Sequence, residues 1–367
     1  MTRIQVLIVD DTAAVRHILS DILESDPDIE VAAMAADGEQ GLRYLERVPV
    51  DLVVLDVEMP RMDGLEMLRR LRVTRPHLPV LVFSSITERG AMVTIEALSL
   101  GASDYVTKPA MTGSPAAARA YIRDNLLERI HALVGALRPP SSAPPDQAAT
   151  TVSVRAPAVP RRPARPPELI VIGVSMGGPN ALGTVLSALP ADLETPVLIV
   201  QHMPALFLRA LAKRLNGVGP LPVGECQESE PALPGRVWLA AGDRHMEVEE
   251  QAGEVRVRPM DGEPVNFCRP SVDTLFTSAA QVLGDRTLAV VMTGMGHDGL
   301  EGARHIHNAG GRVLVQDENS SVVWGMGRAV VDAGLADGVV SLERLAPAIV
   351  EQVRAGTKQG RVQQPEP

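Results

Sequence analysis

Acidic side chains, one serine and one lysine follow strand-like apolar segments in the first third of the chain. Asp10 and Asp11 follow the first segment, Asp56 the third, Ser84 the fourth and Lys108 the fifth. Because the carboxyl ends of parallel strands meet at one edge of a sheet, these side chains are expected to share a crevice. Crowded carboxylates repel one another unless a cation is present, and their hard oxygens suit Mg²⁺. The pattern predicts a magnesium site.

A carboxylate beside a bound magnesium ion can accept a phosphoryl group, which assigns that role to Asp56. Lys108 would neutralise charge on the phosphoryl oxygens, the Ser84 hydroxyl could bind the product phosphate, and the peptide carbonyl of Glu58 would be a further metal ligand. In the alternative interpretation the paired aspartates only cap a helix and the lysine is a surface charge. That alternative requires the same coincidence at four strand ends.

A serine lies on a glycine-rich turn between a predicted strand and a predicted helix. Residues 173–178 read Gly-Val-Ser-Met-Gly-Gly, which contains the pattern G-x-S-x-G with Ser175 at its centre. Glycines permit the sharp turn that raises a nucleophilic hydroxyl over the sheet edge, and the helix that follows directs amide groups to the same place. A phosphate-binding turn is the alternative interpretation.

A nucleophilic serine needs a base and an acid that orients the base. His202 follows the apolar segment 197–200, and Asp298 follows the segment 288–292, so both are expected at the carboxyl edge where Ser175 lies. The chain order Ser, His, Asp differs from that of the α/β-hydrolases. His297 is a rival for the base because it adjoins Asp298. Three further histidines are weaker candidates for the base. His245 is predicted at the hairpin loop, and His305 and His307 are predicted on a helix.

Apolar segments that alternate with periodic helices place these residues in two α/β domains. We expect residues 1–137 to form a flavodoxin-like domain with a five-stranded parallel sheet. Residues 138–168 contain nine prolines and predict an extended linker. Residues 169–355 predict a doubly wound α/β hydrolytic domain with an added antiparallel hairpin at 236–258. Residues 356–367 predict a polar tail.

Composition narrows the class of protein. The net charge of −10 divides into −6 over residues 1–137, +3 over 138–168 and −7 over the remainder. Two acidic domains disfavour nucleic-acid binding, and no apolar run is long enough to insert directly into a membrane. The chain opens on a strand-like segment rather than a signal peptide, and it has two cysteines, Cys226 and Cys268. We expect a cytoplasmic protein.

The first domain resembles the receiver domain of two-component response regulators over residues 1–137. The matching segments are Asp10-Asp11, Asp56-Val57-Glu58-Met59-Pro60-Arg61-Met62-Asp63-Gly64 and Lys108-Pro109. The resemblance implies a histidine kinase as the phosphodonor. It also implies site roles, namely phosphorylation at Asp56, magnesium binding by Asp10 and Asp11, and a conformational switch through Ser84 and Tyr105 with Lys108.

The second domain resembles the catalytic domain of the chemotaxis protein-glutamate methylesterases, the CheB family. The matching segments are residues 173–178, 201–204, 241–246, 269–273 and 293–299. The resemblance implies a phosphorylation-regulated hydrolase of glutamyl methyl esters on chemoreceptors, which also deamidates receptor glutamines and needs no cofactor for ester hydrolysis. It assigns the catalytic triad to Ser175, His202 and Asp298, and the oxyanion donors to the backbone amides of Met176 and Met295.

The chain departs from the family pattern at three places. Met176 stands where threonine is frequent, Phe267-Cys268 precede Arg269 where histidine is common, and Gly327 replaces a proline. We expect the receiver to block the hydrolase until it is phosphorylated. The rival functions are hydrolysis of a small metabolite ester and a catalytically idle receptor adapter. A DNA-binding output is the least favoured because no basic helix-turn-helix follows the receiver.

Overall fold

The computed structural model describes residues 3–108, 114–137 and 165–359. The chain divides into two compact units, Met1–Arg138 and Pro139–Pro367. Most of the predicted linker, Pro109 and the last eight residues of the predicted tail lie outside the described residues. Among the described helices, none combines the length and the apolar character needed to cross a lipid bilayer.

The first unit alternates five strands with five helices. The strands are β1 (Ile4–Val9), β2 (Ile29–Ala35), β3 (Leu52–Leu55), β4 (Val80–Ser85) and β5 (Asp104–Lys108). The helices are α1 (Ala13–Glu24), α2 (Gly38–Leu45), α3 (Gly64–Thr74), α4 (Glu88–Ser99) and α5 (Pro115–Leu137). Strand β3 is fully buried and β1 nearly so, because β3 is entirely aliphatic and β1 is aliphatic except for Gln5.

The parallel sheet of the first unit has the strand order β2-β1-β3-β4-β5, which confirms the predicted flavodoxin-like domain. The order reverses beside β1 and β3. Val9 pairs with Leu55 at the carboxyl ends of these two strands. Asp10 and Asp56, the next residues along each strand, therefore lie side by side.

The second unit is built on a seven-stranded parallel sheet with the order β15-β14-β13-β6-β7-β10-β8. Its strands are β6 (Leu169–Val174), β7 (Val197–Gln201), β8 (Val223–Cys226), β10 (Val237–Ala240), β13 (Thr287–Val291), β14 (Arg312–Gln316) and β15 (Gly338–Val340). Its helices are α6 (Gly178–Ala188), α7 (Ala205–Leu215), α8 (Val272–Leu283), α9 (Leu300–Asn308), α10 (Met326–Asp332) and α11 (Leu342–Gln359). Strands β13, β6 and β7 are adjacent, which brings three predicted site residues to neighbouring strand ends.

The predicted hairpin is present and belongs to a sheet of its own. Strands β11 (His245–Gln251) and β12 (Glu254–Met260) pair antiparallel, and β12 also pairs with β9 (Glu230–Pro231). Met246, Val248 and Val257 pack into the core with residues of α8. The hairpin therefore buries its apolar face on a helix instead of extending the edge of the parallel sheet.

Helix α11 continues to Gln359, four residues into the segment predicted as a tail. It contains Pro347. The predicted boundary at Gly356 rested on the loss of apolar residues, and a helix end that is polar carries no such pattern to mark it.

Candidate active site and phosphorylation site

Ser175 lies on the turn that joins β6 to α6. Its amide donates to the Thr293 carbonyl at 3.0 Å, and its carbonyl accepts from Gln201 Nε2 at 2.8 Å. The left-handed residue of the turn is Gly177, with a φ of +77°, whereas Ser175 has no positive φ. The turn is thus fixed to both neighbouring strand ends, and the glycine rather than the serine adopts the special backbone conformation.

His202 follows β7 and lies beside the serine turn. Its amide donates to the carbonyl of Val174, the residue before Ser175, at 3.2 Å. Its Nε2 atom lies 2.7 Å from Asp298 Oδ2, and the imidazole is 13% exposed. The structure therefore brings together the serine turn, the predicted base and the predicted acid at one edge of the sheet.

Asp298 is 4% exposed and is held by a set of hydrogen-bond donors. Besides His202, four groups donate to its carboxylate: Asn266 Nδ2 at 3.0 Å, Ser271 Oγ at 2.8 Å, Val272 N at 2.7 Å and Asp273 N at 3.2 Å. Two of these are backbone amides at the start of α8, where the helix dipole favours a negative charge. The carboxylate is fixed in position and kept ionised.

The His202–Asp298 contact shifts both groups toward their charged forms. Burial alone would lower the pKa of His202, but the hydrogen bond to Asp298 and the Cys268 contact outweigh it and raise that pKa to about 9. Burial would raise the pKa of Asp298, but His202 and the other donors lower it to about 2. At neutral pH the resting pair is an imidazolium beside a carboxylate.

Of the two imidazole nitrogens of His202, Nδ1 is the one that does not contact Asp298. Nε2 is engaged by Asp298, whereas Nδ1 lies 3.7 Å from Cys268 Sγ. Among residues 165–359 the Ser175 hydroxyl has no hydrogen-bond partner. Catalytic hydrogen bonds are frequently long in resting enzymes and tighten when substrate binds.

Two backbone amides were predicted as oxyanion donors, that of Met176, which follows Ser175, and that of Met295, in the loop after β13. A Cβ built on Gly294 would lie 2.8 Å from the Ser175 Cβ, so only glycine lets the 293–296 loop approach this closely. The amides of Met176 and Met295 donate to no protein acceptor within the part of the second unit that the structure describes. They are therefore free to bind a developing oxyanion.

The rival histidines lie elsewhere. His297 is exposed and makes no side-chain hydrogen bond to a described residue. His245 is 1% exposed, and its ring lies between the Glu263 carbonyl at 2.9 Å and the Ser271 amide at 3.2 Å. His305 and His307 are on α9, as predicted. His202 is the histidine in contact with Asp298.

The first unit brings its predicted site residues together at the carboxyl ends of β1, β3 and β5. Lys108 Nζ lies 2.7 Å from Asp56 Oδ2 and 3.2 Å from Asp10 Oδ2. Carboxylate oxygens of Asp10, Asp11 and Asp56 all lie within 4.8 Å of one another. Burial raises the pKa of Asp56, opposed by Lys108. Burial would lower the pKa of Lys108, but Asp56 and Asp10 raise it.

This donor set fits Mg²⁺, because it consists of hard oxygens clustered within the reach of one ion. Glu58 belongs to the same turn, and its amide donates to Asp56 Oδ1 at 3.2 Å. Its side chain is directed to Ser85 and Arg89. Its peptide carbonyl remains the predicted ligand.

The predicted switch residues are buried. Ser84 Oγ accepts from Thr94 Oγ1 at 2.6 Å and donates to the Gly90 carbonyl at 3.3 Å, so the hydroxyl is bound to α4. Tyr105 is 8% exposed, and burial raises its pKa well above 10. To donate to a phosphoryl oxygen, the Ser84 hydroxyl would therefore have to give up the Gly90 carbonyl as its acceptor.

Several residues of the active site were not predicted from the sequence as site residues. Asn266, Ser271 and Asp273 form hydrogen bonds around the Asp298 carboxylate, and Cys268 contacts the imidazole. Asn266 Nδ2 also lies 2.7 Å from Asp273 Oδ2, so one amide bridges two carboxylates. The segment 266–273 contains several polar residues, but only the fold shows that it meets residue 298.

Comparison with known proteins identifies the family of both units. Residues 6–115 match the family model for the response regulator receiver domain, and residues 170–349 match that for CheB methylesterase. A Nocardioides sp. protein named protein-glutamate methylesterase/protein-glutamine glutaminase is 46% identical to this chain, and the match covers 96% of each chain. A Trichodesmium erythraeum protein of the same name is 42% identical, and the match covers 96% of this chain and 100% of the relative. The crystal structure of the Thermotoga maritima CheB methylesterase catalytic domain matches with a TM-score of 0.50 and 36% identity, covering 50% of this chain and 98% of that one. The chain belongs to the CheB family of receiver-linked methylesterases.

Proposed function

We propose that this protein removes methyl groups from glutamyl methyl esters of chemoreceptors by a Ser175–His202–Asp298 mechanism, and deamidates receptor glutamines at the same site. The observation that carries the proposal is the 2.7 Å contact between His202 Nε2 and Asp298 Oδ2 directly beside the Ser175 turn. The names of the relatives, protein-glutamate methylesterase/protein-glutamine glutaminase, support the substrate class.

Acylation begins when His202 Nδ1, in its neutral form, takes the proton of the Ser175 hydroxyl. The serine Oγ forms a bond to the ester carbonyl carbon, and the amides of Met176 and Met295 stabilise the oxyanion. The bond to the methoxy oxygen then breaks, and His202 returns the proton so that methanol leaves. For a glutamine side chain the same collapse releases ammonia.

Deacylation repeats these steps with water. His202 takes a proton from water, the hydroxide attacks the acyl carbon, and the Ser175 oxygen leaves with the returned proton. The product is a glutamate carboxylate. Throughout, Asp298 stabilises the imidazolium and fixes which nitrogen faces the serine, because its own position is held by four further donors.

In the receiver, Asp56 accepts a phosphoryl group from a histidine kinase. Asp10, Asp11, Asp56 and the Glu58 carbonyl would hold Mg²⁺, which supplies charge neutralisation when bound. Lys108 already contacts Asp56 and Asp10 and offers its ammonium to the phosphoryl oxygens. Because the Ser84 hydroxyl donates to the carbonyl of Gly90 in α4, its donation to the phosphoryl group would release that bond and change the helix surface.

The catalytic proposal is tested by methanol release from methylated receptors. Ser175→Ala should reduce turnover roughly 10⁴-fold or more, because the nucleophile is lost. Ser187→Ala is the matched control, since Ser187 is an exposed serine on α6, the helix that follows Ser175, and it should retain wild-type turnover. A receptor that carries glutamine should release ammonia with the wild-type and Ser187→Ala proteins but not with Ser175→Ala. Wild-type turnover by Ser175→Ala would refute the mechanism.

The regulatory proposal is tested with acetyl phosphate and magnesium. Methanol release should rise in the wild-type protein and not in Asp56→Asn, which cannot accept the phosphoryl group. Equal stimulation of both proteins, or of neither, would contradict regulation through Asp56. Comparable turnover of free small esters would favour a metabolite esterase, and no turnover of any ester would favour a receptor adapter.

A further inference from the structure

Phe267 is the most exposed large apolar residue in the described part of the second unit. Its relative exposure is 103%, against 47% for Leu233 and 38% for Val265. The whole chain has only four phenylalanines, and the Phe207 and Phe276 side chains are fully buried. A fully exposed aromatic ring gains nothing from the hydrophobic effect in the free protein.

The backbone at Phe267 adds a cost of its own. Asn266 and Phe267 have φ values of +51° and +63°, and the flanking residues exchange two hydrogen bonds, Val265 N to Cys268 O at 3.0 Å and Cys268 N to Val265 O at 2.9 Å. Two left-handed residues between paired flanks are typical of a type I′ turn, where glycine is preferred at the second position. Exposure and strain both disfavour phenylalanine here, so its presence is not explained by folding.

The turn is fixed to the catalytic residues on both sides of the ring. The preceding residue, Asn266, donates to Asp298 at 3.0 Å, and the following residue, Cys268, lies 3.7 Å from the His202 imidazole. The ring therefore projects into solvent from the rim of the catalytic site. A macromolecule that delivers a side chain to Ser175 must pass close to it.

We propose that Phe267 is a specificity-determining residue that binds the apolar flank of the receptor helix carrying the ester. This inference rests on the proposed function. A glutamyl methyl ester is short, so a helix of about 10 Å diameter must lie against the rim for its ester to reach the serine. Apolar residues three or four positions from the ester lie on the same helix face and are placed to cover the ring.

The test separates receptor binding from the reactivity of the serine. Phe267→Gly removes the ring and keeps a residue that suits the turn, so the variant is expected to fold. Its KM for methylated receptor should rise roughly tenfold with little change in kcat, because the lost contact is the same in the bound and transition states. The rate at which a small fluorophosphonate labels the serine should be far less affected. Phe267→Trp should restore the KM.

Leu233→Ala supplies the matched control. Leu233 is also exposed, but it lies near the amino ends of the strands, since nearby Gly235 donates to the carbonyl of Glu194, which precedes β7. The KM of the Leu233→Ala variant for methylated receptor should be unchanged. An unchanged KM in Phe267→Gly would overturn the inference, as would an equal loss of fluorophosphonate labelling. If Phe267→Gly instead shows raised turnover without phosphodonor at constant KM, the ring contacts the receiver rather than the receptor, and the inference is overturned. Failure of the proposed function is distinguishable, because the wild-type protein would then release no methanol.

Discussion

His202 Nε2 lies 2.7 Å from Asp298 Oδ2, so the imidazole meets the predicted acid through Nε2, and Nδ1 is left for the proton of the proposed nucleophile. The same contact raises the pKa of His202 to about 9. A base with a raised pKa is protonated at neutral pH and must lose that proton before it can act. The contact that orients the imidazole thus also sets the pH at which His202 can act as a base.

Activity is expected to increase with pH up to about 9. Because only neutral His202 can accept the serine proton, kcat/KM for methylated receptor should rise as the pH approaches the pKa of about 9 and level off above it. Asp298→Asn should lower the pKa of His202, which moves the inflection to lower pH, and should reduce kcat about 10³- to 10⁴-fold. The pH profile of methanol release checks both effects, and an inflection that does not move in Asp298→Asn would contradict the assigned contact.

Cys268 is expected to modulate the same profile. The contact of its sulfur with His202 contributes to the raised pKa of the imidazole. Cys268→Ala should therefore shift the inflection of kcat/KM to lower pH by less than Asp298→Asn does. Cys226→Ala is the control, because Cys226 is buried away from the triad in β8, and its profile should keep the wild-type inflection. A Cys268→Ala profile identical to wild type would show that the thiol does not influence the base.

Asn266 is expected to stabilise two neighbouring carboxylates. Its amide donates to Asp273 at 2.7 Å and to Asp298 at 3.0 Å. Asn266→Asp preserves size and tolerance of the left-handed backbone but replaces the donor with a third negative charge. The free energy of unfolding at pH 7 should fall by about 2 kcal/mol.

The pH dependence identifies the cause. Repulsion raises the pKa of the new carboxyl in the folded state above its unfolded value, so the destabilisation is present at high pH and is relieved as the pH falls and the carboxyl protonates. Thermal unfolding at pH 7 and pH 5 checks this, with the wild-type protein as reference. A difference in stability that does not narrow at pH 5 would point to lost packing instead.

The strain at Phe267 predicts a stability difference between two truncations. Both Phe267→Gly and Phe267→Ala remove the exposed ring, but only glycine accepts a φ of +63° without steric cost. Phe267→Gly should therefore be more stable than Phe267→Ala by about 1 kcal/mol in chemical denaturation. Equal stabilities would show that the turn relaxes and stores no strain.

The positions of Asp10, Asp56 and Lys108 could be predicted because each lies at the end of a strand-like segment with an apolar core. In a parallel sheet this placement alone brings side chains to one edge. His202 and Asp298 were predicted from the apolar segments that precede them, at 197–200 and 288–292. The hydrophobic pattern was sufficient to predict this edge, whereas the preference for His202 over His297 came from the family resemblance.

The support around Asp298 could not be predicted in the same way. Asn266 and Ser271 lie in an irregular segment, and their roles depend on where that segment meets residue 298 in the fold. Strands β9 and β15 span two and three residues, too short for any periodicity. The contact between Cys268 and His202 depends on the same loop path. Such features arise from tertiary packing and have no local signature.

Labelling by a fluorophosphonate tests the central claim most directly, because the reagent forms a stable bond only with an activated serine. Mass spectrometry of the labelled wild-type protein should show one adduct, on Ser175, and none in Ser175→Ala. Labelling should be largely lost in His202→Gln and retained in His297→Gln. An adduct on another residue, or labelling of Ser175 that is indifferent to His202, would contradict the account.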